Sequence, residues 1–334
     1  MKMIKNTICV LLCVILCFSF AACKKETSTA EKTFFVMDAA LTVRLYGCTD
    51  EMATACFSQI FALVTDLENT LSRTVETSDI SRINRERSAG DLSPHTVAVL
   101  TIAAEVSEAT GGAYLPTTGA LSDLWQKAGQ ENILPDPALL EAAAAEARKG
   151  FSLVDGVCTI QGEGALLDLG GIGKGYAVDL VCETLHALSV GGAIVSFGSS
   201  VAAIGEKGDG TPFIISLRDP KNTNGVFGKL ISPAGILSVS GDYERYVTVG
   251  GVRYAHILDP ASGYPAASGL SSVSVLTGDG TRADALSTAF LVMGVERSRA
   301  YIAAHPGIEA VFYTASGEVT FTEGLSGVFE RFAD

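Results

Sequence analysis

The sequence predicts an α+β fold. Runs with apolar residues three and four apart, the spacing of amphipathic helices, crowd the first half of the chain. From Ser152 the character changes to short β-rich runs separated by Gly turns. The two kinds of run do not alternate one for one, which argues against a doubly wound parallel sheet. The 334 residues suffice for two domains of roughly 150 residues each or for one large one. No repeat with a period of about 20–50 residues is present.

In order, Phe34 to Tyr46 is rich in β-formers and reads as a strand. Glu51 to Leu71 places Cys56, Ile60, Leu63, Val64, Leu67 and Leu71 on one helical face. Ser78 to Asn84 follows a turn. Pro94 to Ala109 is a second helical run, ended by Gly111 and Gly112. Ala138 to Ala147 is Ala- and Glu-rich and helical by propensity. A Gly-rich segment at Gly170 precedes a helix from Gly175 to Leu188. Strands are expected at Ala193–Ser196, Phe213–Leu217, Ile236–Ser240, Tyr254–Leu258 and Ser271–Leu276. Helices follow at Ala283–Met293 and Glu296–Ala304. A hairpin, Ala310–Tyr313 and Val319–Thr322, turns at Ala315, Ser316 and Gly317.

Composition narrows the function. Apolar residues make up 48% and charged residues 18%, which excludes wholesale disorder. The 35 Gly are aperiodic and Pro numbers only 10, so collagen-like repeats are excluded. With 24 Lys and Arg against 37 Asp and Glu, the formal charge is −13, and nucleic acid is a poor partner. A phosphorylated ligand would need backbone N–H groups or a metal ion to overcome that field.

At the amino terminus, Lys2 and Lys5 precede an uncharged run from Thr7 to Ala22, short for a membrane span and suited to a signal peptide. Phe20-Ala21-Ala22-Cys23 resembles a bacterial lipobox. Residues 1–22 are therefore expected to be a lipoprotein signal peptide. Cys23 becomes the lipidated (palmitate-carrying) first residue on the extracytoplasmic face of the cell membrane. Residues 23–33 are a polar tether and 34–334 the folded domain. Cys9, Cys13 and Cys17 lie in the leader. Cys48, Cys56, Cys158 and Cys182 show no zinc spacing; export permits disulfides whose pairing the sequence does not reveal, while the apolar settings of Cys56 and Cys182 suit buried free thiols.

Three segments carry chemistry. In Leu167 to Asp179 (LDLGGIGKGYAVD), a strand ends at Asp168 and glycines allow close backbone approach. Free N–H groups at the helix start, with Lys174 beside them, suit an anion. A glycine turn packing a helix on a sheet has the same appearance, so both readings stand. In Ser238 to Ala266, His256 precedes Asp259, Pro260 and Gly263, a rigid loop suited to general-base or phosphate-contact work. The other histidines, His95, His186 and His305, have loop or helix-filler settings. In Thr281 to Phe290, Asp284 and Thr288 stand four apart on one helical face. A carboxylate and a hydroxyl are hard ligands for Mg²⁺, although an acid near a helix start also stabilises the helix dipole.

These segments, in this order, resemble the ApbE-type FAD:protein FMN transferase family. Leu71 to Asn84 (LSRTVETSDISRIN) is similar to its Ser-rich segment ending in Asn, and Thr110 to Trp125 to its G-A-F-D-P-T stretch. LDLGGIGKGYAVD is similar to D-L-G-G-I-A-K-G, Tyr254 to Pro265 to H-I-x-D-P-x-T-G, and Ala283 to Gly294 to A-D-A-x-x-T-A. The resemblance covers nearly all of the mature chain. It implies mixed, largely antiparallel sheets with flanking helices.

The resemblance also implies an activity: FMN passes from FAD to a Thr or Ser hydroxyl of a membrane or exported electron-transfer protein, and AMP leaves. Asp284, Thr288 and the main-chain oxygen of Gly173 would bind Mg²⁺. Met37, Ala113, Tyr114, Leu115, Asp168 and Lys174 would contact FAD. His256 would sit by the reacting phosphate as base or as hydrogen-bond donor, with Asp284 completing the catalytic pair. Leu115 stands where the family has Asp, Ser287 where some members have a further acid, Gly198-Ser199-Ser200 where a G-G-N-like turn is usual, and Thr74 where an aromatic is common. The small Thr74 would admit water and favour FAD hydrolysis to FMN and AMP. A Mg²⁺-dependent FAD pyrophosphatase and a non-catalytic FAD-binding lipoprotein are the alternatives.

Overall fold

The structure, a computed structural model, describes residues 28–332. The signal peptide, Cys23 and residues 24–27 of the expected tether lie outside the described residues. No helix among the described residues is long and apolar enough to cross a membrane.

The chain opens with β1 (Ser28–Val36) and β2 (Ala39–Cys48), where one strand from Phe34 to Tyr46 was expected. Met37 (φ 50°) and Asp38 (φ 55°) both adopt positive φ and form the two-residue turn that closes this hairpin. The sequence gives no hint of it, because such turns normally carry Asn or Gly. Residues Ser28 to Thr33, expected in the tether, are strand paired to β2.

Helix α1 (Asp50–Leu71) buries Ile60, Val64 and Leu67 as its spacing predicts. Helix α2 (Asp79–Glu86) is capped by the Ser78 hydroxyl, which accepts from the Ser81 N–H. After β3 (Ser88–Ala89) come α3 (Pro94–Ala109), α4 (Gly119–Glu131) and α5 (Pro137–Ala147). Helix α4 was not foreseen; it starts without a side-chain cap, so no start signal marks it.

Strands β4 (Phe151–Val154) and β5 (Val157–Ile160) lead to α6 (Gly173–Ala187). Then follow β6 (Gly192–Phe197), β7 (Ser200–Gly205), β8 (Ile214–Arg218), β9 (Val226–Ile231) and β10 (Ile236–Gly241). Next are β11 (Tyr246–Val249), β12 (Val252–Ala255) and β13 (Leu270–Thr277). The strand expected over Tyr254–Leu258 stops at Ala255, so His256 leaves the ladder. Helix α7 (Gly280–Ala304) holds both predicted helical stretches, which meet at non-helical Gly294 (φ 78°). Strands β14 (Glu309–Thr314), β15 (Val319–Phe321) and β16 (Phe329–Arg331) close the chain.

Eight strands form the main sheet in the order β1-β2-β6-β7-β10-β13-β14-β15. Every neighbouring pair in it is antiparallel. The expected mixed character reduces, among the described residues, to one parallel bridge between Thr118 and Leu166. Helices α1, α6 and α7 cover one face, over a core containing Leu41, Val43, Leu45, Phe197, Phe290 and Phe312. The β16-β9-β8 sheet carries a separate small core with Leu237, Leu276 and Val311 of the main sheet. Helices α4 and α5 form a third, around Trp125, Leu140 and Leu258. Cys48, Cys56, Cys158 and Cys182 are free and buried, the buried-thiol alternative of the two left open.

Candidate active site

The site grows from the turn ahead of α6. The Asn84 side chain clamps Leu167 from both sides: its amide donates to the Leu167 carbonyl (2.9 Å) and its oxygen accepts the Leu167 N–H (2.7 Å). The Asp168 N–H donates to the Pro116 carbonyl (2.7 Å). One Asp168 carboxylate oxygen accepts the Gly170 N–H (2.8 Å), and the other lies 3.1 Å from Arg73 Nη1. Arg73 also grips both carboxylate oxygens of Asp123 (2.7 and 2.8 Å). The motif aspartate is thus held in place before any ligand arrives.

Helix α7 then crosses the start of α6 at very short range. A Cβ on Gly175 would stand 2.0 Å from the Gly280 carbonyl oxygen and 2.7 Å from Asp284 Cβ. Only glycine permits that approach, and the approach lets the Gly175 N–H donate to Asp284 Oδ2 at 3.0 Å. Lys174 Nζ lies 3.9 Å from the same oxygen. Asp284 is only 3% exposed, and its Oδ1 takes no hydrogen bond from any described residue. One turn on, Thr288 Oγ1 stands 3.5 Å from the Ser240 hydroxyl, which pairs with Ser287 (2.8 Å). Asp179 fixes the N-terminus of α7 by accepting the N–H groups of Gly280 and Thr281 (2.8 Å each).

The remaining predicted residues converge on this crossing unevenly. Thr288 Oγ1 is 3.2 Å from the ideal Cβ position of Gly171, and Tyr114 Cε2 is 3.4 Å from it. Gly173, whose main-chain oxygen is the expected third ligand, opens α6, and its ideal Cβ position lies 3.2 Å from Met37 Cε. Met37 is presented by the hairpin tip, and its N–H donates to Glu68 Oε1 (2.8 Å). Tyr114 is buried and its hydroxyl has no hydrogen-bond partner among the described residues. Burial pushes the phenol well above its usual pKa, and the Asp284 and Asp168 charges push it further. Ala113 is buried beside it; Leu115 is half-buried, and its carbonyl accepts from the Thr118 hydroxyl (3.1 Å).

His256 lies on an exposed loop. Its N–H donates to the Arg245 carbonyl (3.1 Å), and its Nδ1 lies 2.9 Å from the same oxygen. A carbonyl only accepts, which assigns the proton to Nδ1 and leaves the Nε2 lone pair free. The ring pKa is lowered to about 4. Desolvation by surrounding protein atoms is the largest cause, and the Arg245 and Lys174 cations add to it, against the Arg245 hydrogen bond and the Asp168 charge. Lys174 and Asp168 act on His256 and Asp284 and Asp168 act on Tyr114, so one electrostatic neighbourhood holds all five.

Arg73, Arg245, Glu68 and Ser240 escape sequence reasoning because their partners are remote; Arg73 and Asp168 are 95 positions apart. A cavity of about 630 Å³ further along α6, lined by Tyr176, Asp179, Cys182, Glu183, His186 and Asp279 among others, contains none of the predicted site residues. The site is marked instead by the convergence of buried polar groups at the α6–α7 crossing.

Hard oxygen donors suit a Mg²⁺ ion at this crossing: the open Oδ1 of a buried carboxylate, the Thr288 hydroxyl and the carbonyls of a glycine turn. No group of three or more His, Cys, Asp or Glu with metal-holding geometry occurs among the described residues, so hydroxyl and main-chain oxygens would have to complete the ligand set.

Residues 37–312 match the ApbE family model. The chain is 32% identical over 297 residues to the FAD:protein FMN transferase of Treponema pallidum, covering 81% of this chain and 80% of that one. It is 30% identical over 293 residues to the enzyme of that description from Klebsiella pneumoniae, covering 85% and 89%. Among solved structures, the ApbE protein of Thermotoga maritima superposes with a TM-score of 0.81 at 29% identity, covering 90% of this chain and 99% of that one. The apo form of the Pseudomonas stutzeri flavinyl transferase ApbE gives 0.78 at 27% identity, covering 92% and 98%.

Proposed function

The chain belongs to the ApbE family, and from that premise we propose that it is an FAD:protein FMN transferase that moves FMN onto a Ser or Thr hydroxyl of an exported or membrane protein and releases AMP. The observation that carries this reading is the α6–α7 crossing, where Gly175 hands its N–H to Asp284 while Thr288 packs on Gly171. Asp284 and Thr288, with a main-chain oxygen of the 170–173 turn, would hold Mg²⁺. When bound, that ion offsets phosphate charge in a protein whose net charge is −13.

The chain's own residues supply positioning, the main requirement of phosphoryl transfer. Met37, Ala113, Tyr114, Leu115 and Asp168 surround the dinucleotide, with Arg73 keeping the Asp168 carboxylate fixed. Lys174 brings a positive charge to the phosphates. The acceptor oxygen attacks the FMN-side phosphorus, the bond from that phosphorus to the bridging oxygen breaks, and AMP carries that oxygen away. The hydroxyl proton passes to His256 Nε2, neutral at pH 7 and lone-pair-bearing in the Nδ1–H tautomer. The negative charge of a bound pyrophosphate beside the ring raises its proton affinity towards what a base requires.

Incubation with FAD, Mg²⁺ and a candidate acceptor domain tests the proposal. In-gel flavin fluorescence on the acceptor is expected, and its loss in Asp284→Ala. Yellow protein with intact FAD and no labelling would mean binding alone. Hydrolysis of FAD at the same bond is a second reading, favoured by exposed Thr74, whose neighbour Arg73 grips Asp168. A Thr74→Tyr variant is expected to lower the ratio of free FMN to labelled acceptor, and an unchanged ratio removes that reading. Lipid anchoring at Cys23 would place the enzyme on the extracytoplasmic face; labelled palmitate is expected to enter the wild type and not Cys23→Ser.

A further inference from the structure

We propose that the outer face of the β11–β12 hairpin, centred on Tyr246 and Arg253, is the docking surface for the acceptor protein. This rests on the transferase reading, which requires a second protein to bring a hydroxyl to His256. The hairpin and the histidine are one unit. Tyr246 pairs with Ala255, Ala255 precedes His256, and the carbonyl of Arg245, just ahead of Tyr246, holds both the N–H and the ring of His256. A chain seated on this ribbon is therefore delivered to the imidazole.

The two faces of the hairpin differ. Val247 and Tyr254, a cross-strand pair, pack inward on α4, where the Tyr254 ring lies tilted against Trp125 at 5.0 Å and Val247 meets Gly129. The opposite face carries Tyr246, 42% exposed, with the Arg253 guanidinium 4.5 Å from its ring centre. No described strand extends either edge of the two-stranded sheet, which leaves main-chain groups open for an added strand. Tyr and Arg are the residue types that most often anchor protein interfaces, because a stacked guanidinium and a phenol bury large rigid area while keeping polar tips. Arg245 and Arg253 also gather positive charge in a chain of net −13, so the occupant is expected to present acidic residues near its Ser or Thr.

Tyr246→Ala and Arg253→Glu, measured in the full chain with FAD, Mg²⁺ and an acceptor domain, test this. Each is expected to raise the acceptor KM about tenfold or more, the effect of losing an interface anchor. FAD affinity by fluorescence titration and the thermal midpoint are expected to stay at wild-type values. An unchanged acceptor KM in both variants overturns the docking surface while leaving the transferase reading intact, as does a parallel loss of FAD affinity. A wild-type protein that binds FAD but labels no acceptor overturns the transferase reading, and the docking surface with it.

Discussion

The two halves of the candidate site are built in opposite ways. The α6–α7 crossing lies in the main core: Asp284 is 3% exposed, Gly175 is buried, and backbone meets backbone with no room for a Cβ. The His256 loop lies between two cores, with Ile257 in the main one and Leu258 in the α4–α5 one, and is fastened by Trp125 Nε1 to the Gly263 carbonyl (2.9 Å) and by Arg148 to the Pro260 and Ala261 carbonyls (2.9 Å each). The first region has one way to exist and suits a fixed ion and phosphate. The second is anchored by its apolar neighbours and these side-chain hydrogen bonds while His256 itself stays exposed, which suits the proposed meeting with an acceptor.

Substitutions sharpen that contrast. Gly175→Ala forces a methyl group into the Gly280 carbonyl and is expected to cost about 3 kcal/mol of stability, the upper end for overpacking, and to abolish activity. Chemical denaturation checks it, and a wild-type midpoint would mean the crossing is looser than it looks. Trp125→Phe removes the indole hydrogen bond to the loop and is expected to cost about 1 kcal/mol. Transfer should slow severalfold while FAD affinity is kept; equal losses in both would show that the loop and the crossing are not separable.

The smallest effect concerns pH. The His256 pKa is about 4 in the folded chain against 6.5 for the free side chain, so the unfolded state binds more protons between those values. Its contribution to stability is therefore intact above pH 6.5 and declines as the pH falls towards 4. His256→Asn should flatten that part of the stability–pH curve, whereas an unchanged curve would assign the acid sensitivity to other groups.

Local pattern made much of this legible. The α1 spacing, the Asp168–Lys174 glycine turn, the Asp284–Thr288 helical pair and the break near Gly294 can be read from neighbours in sequence. What stayed hidden depends on distance or on unfavourable local conformation. The Met37–Asp38 turn uses positive φ without glycine, and the Arg73 clamp joins residues 50 and 95 positions apart.

The role of the α6–α7 crossing is decided by titrating FAD into wild type and Asp284→Asn, each with and without Mg²⁺. Asn keeps an acceptor for the Gly175 N–H and removes the charge. Mg²⁺ is expected to tighten FAD binding by wild type about tenfold or more and to leave the variant unaffected, with both proteins equally folded. Equal tightening in both would place the ion elsewhere and contradict the assignment of Asp284.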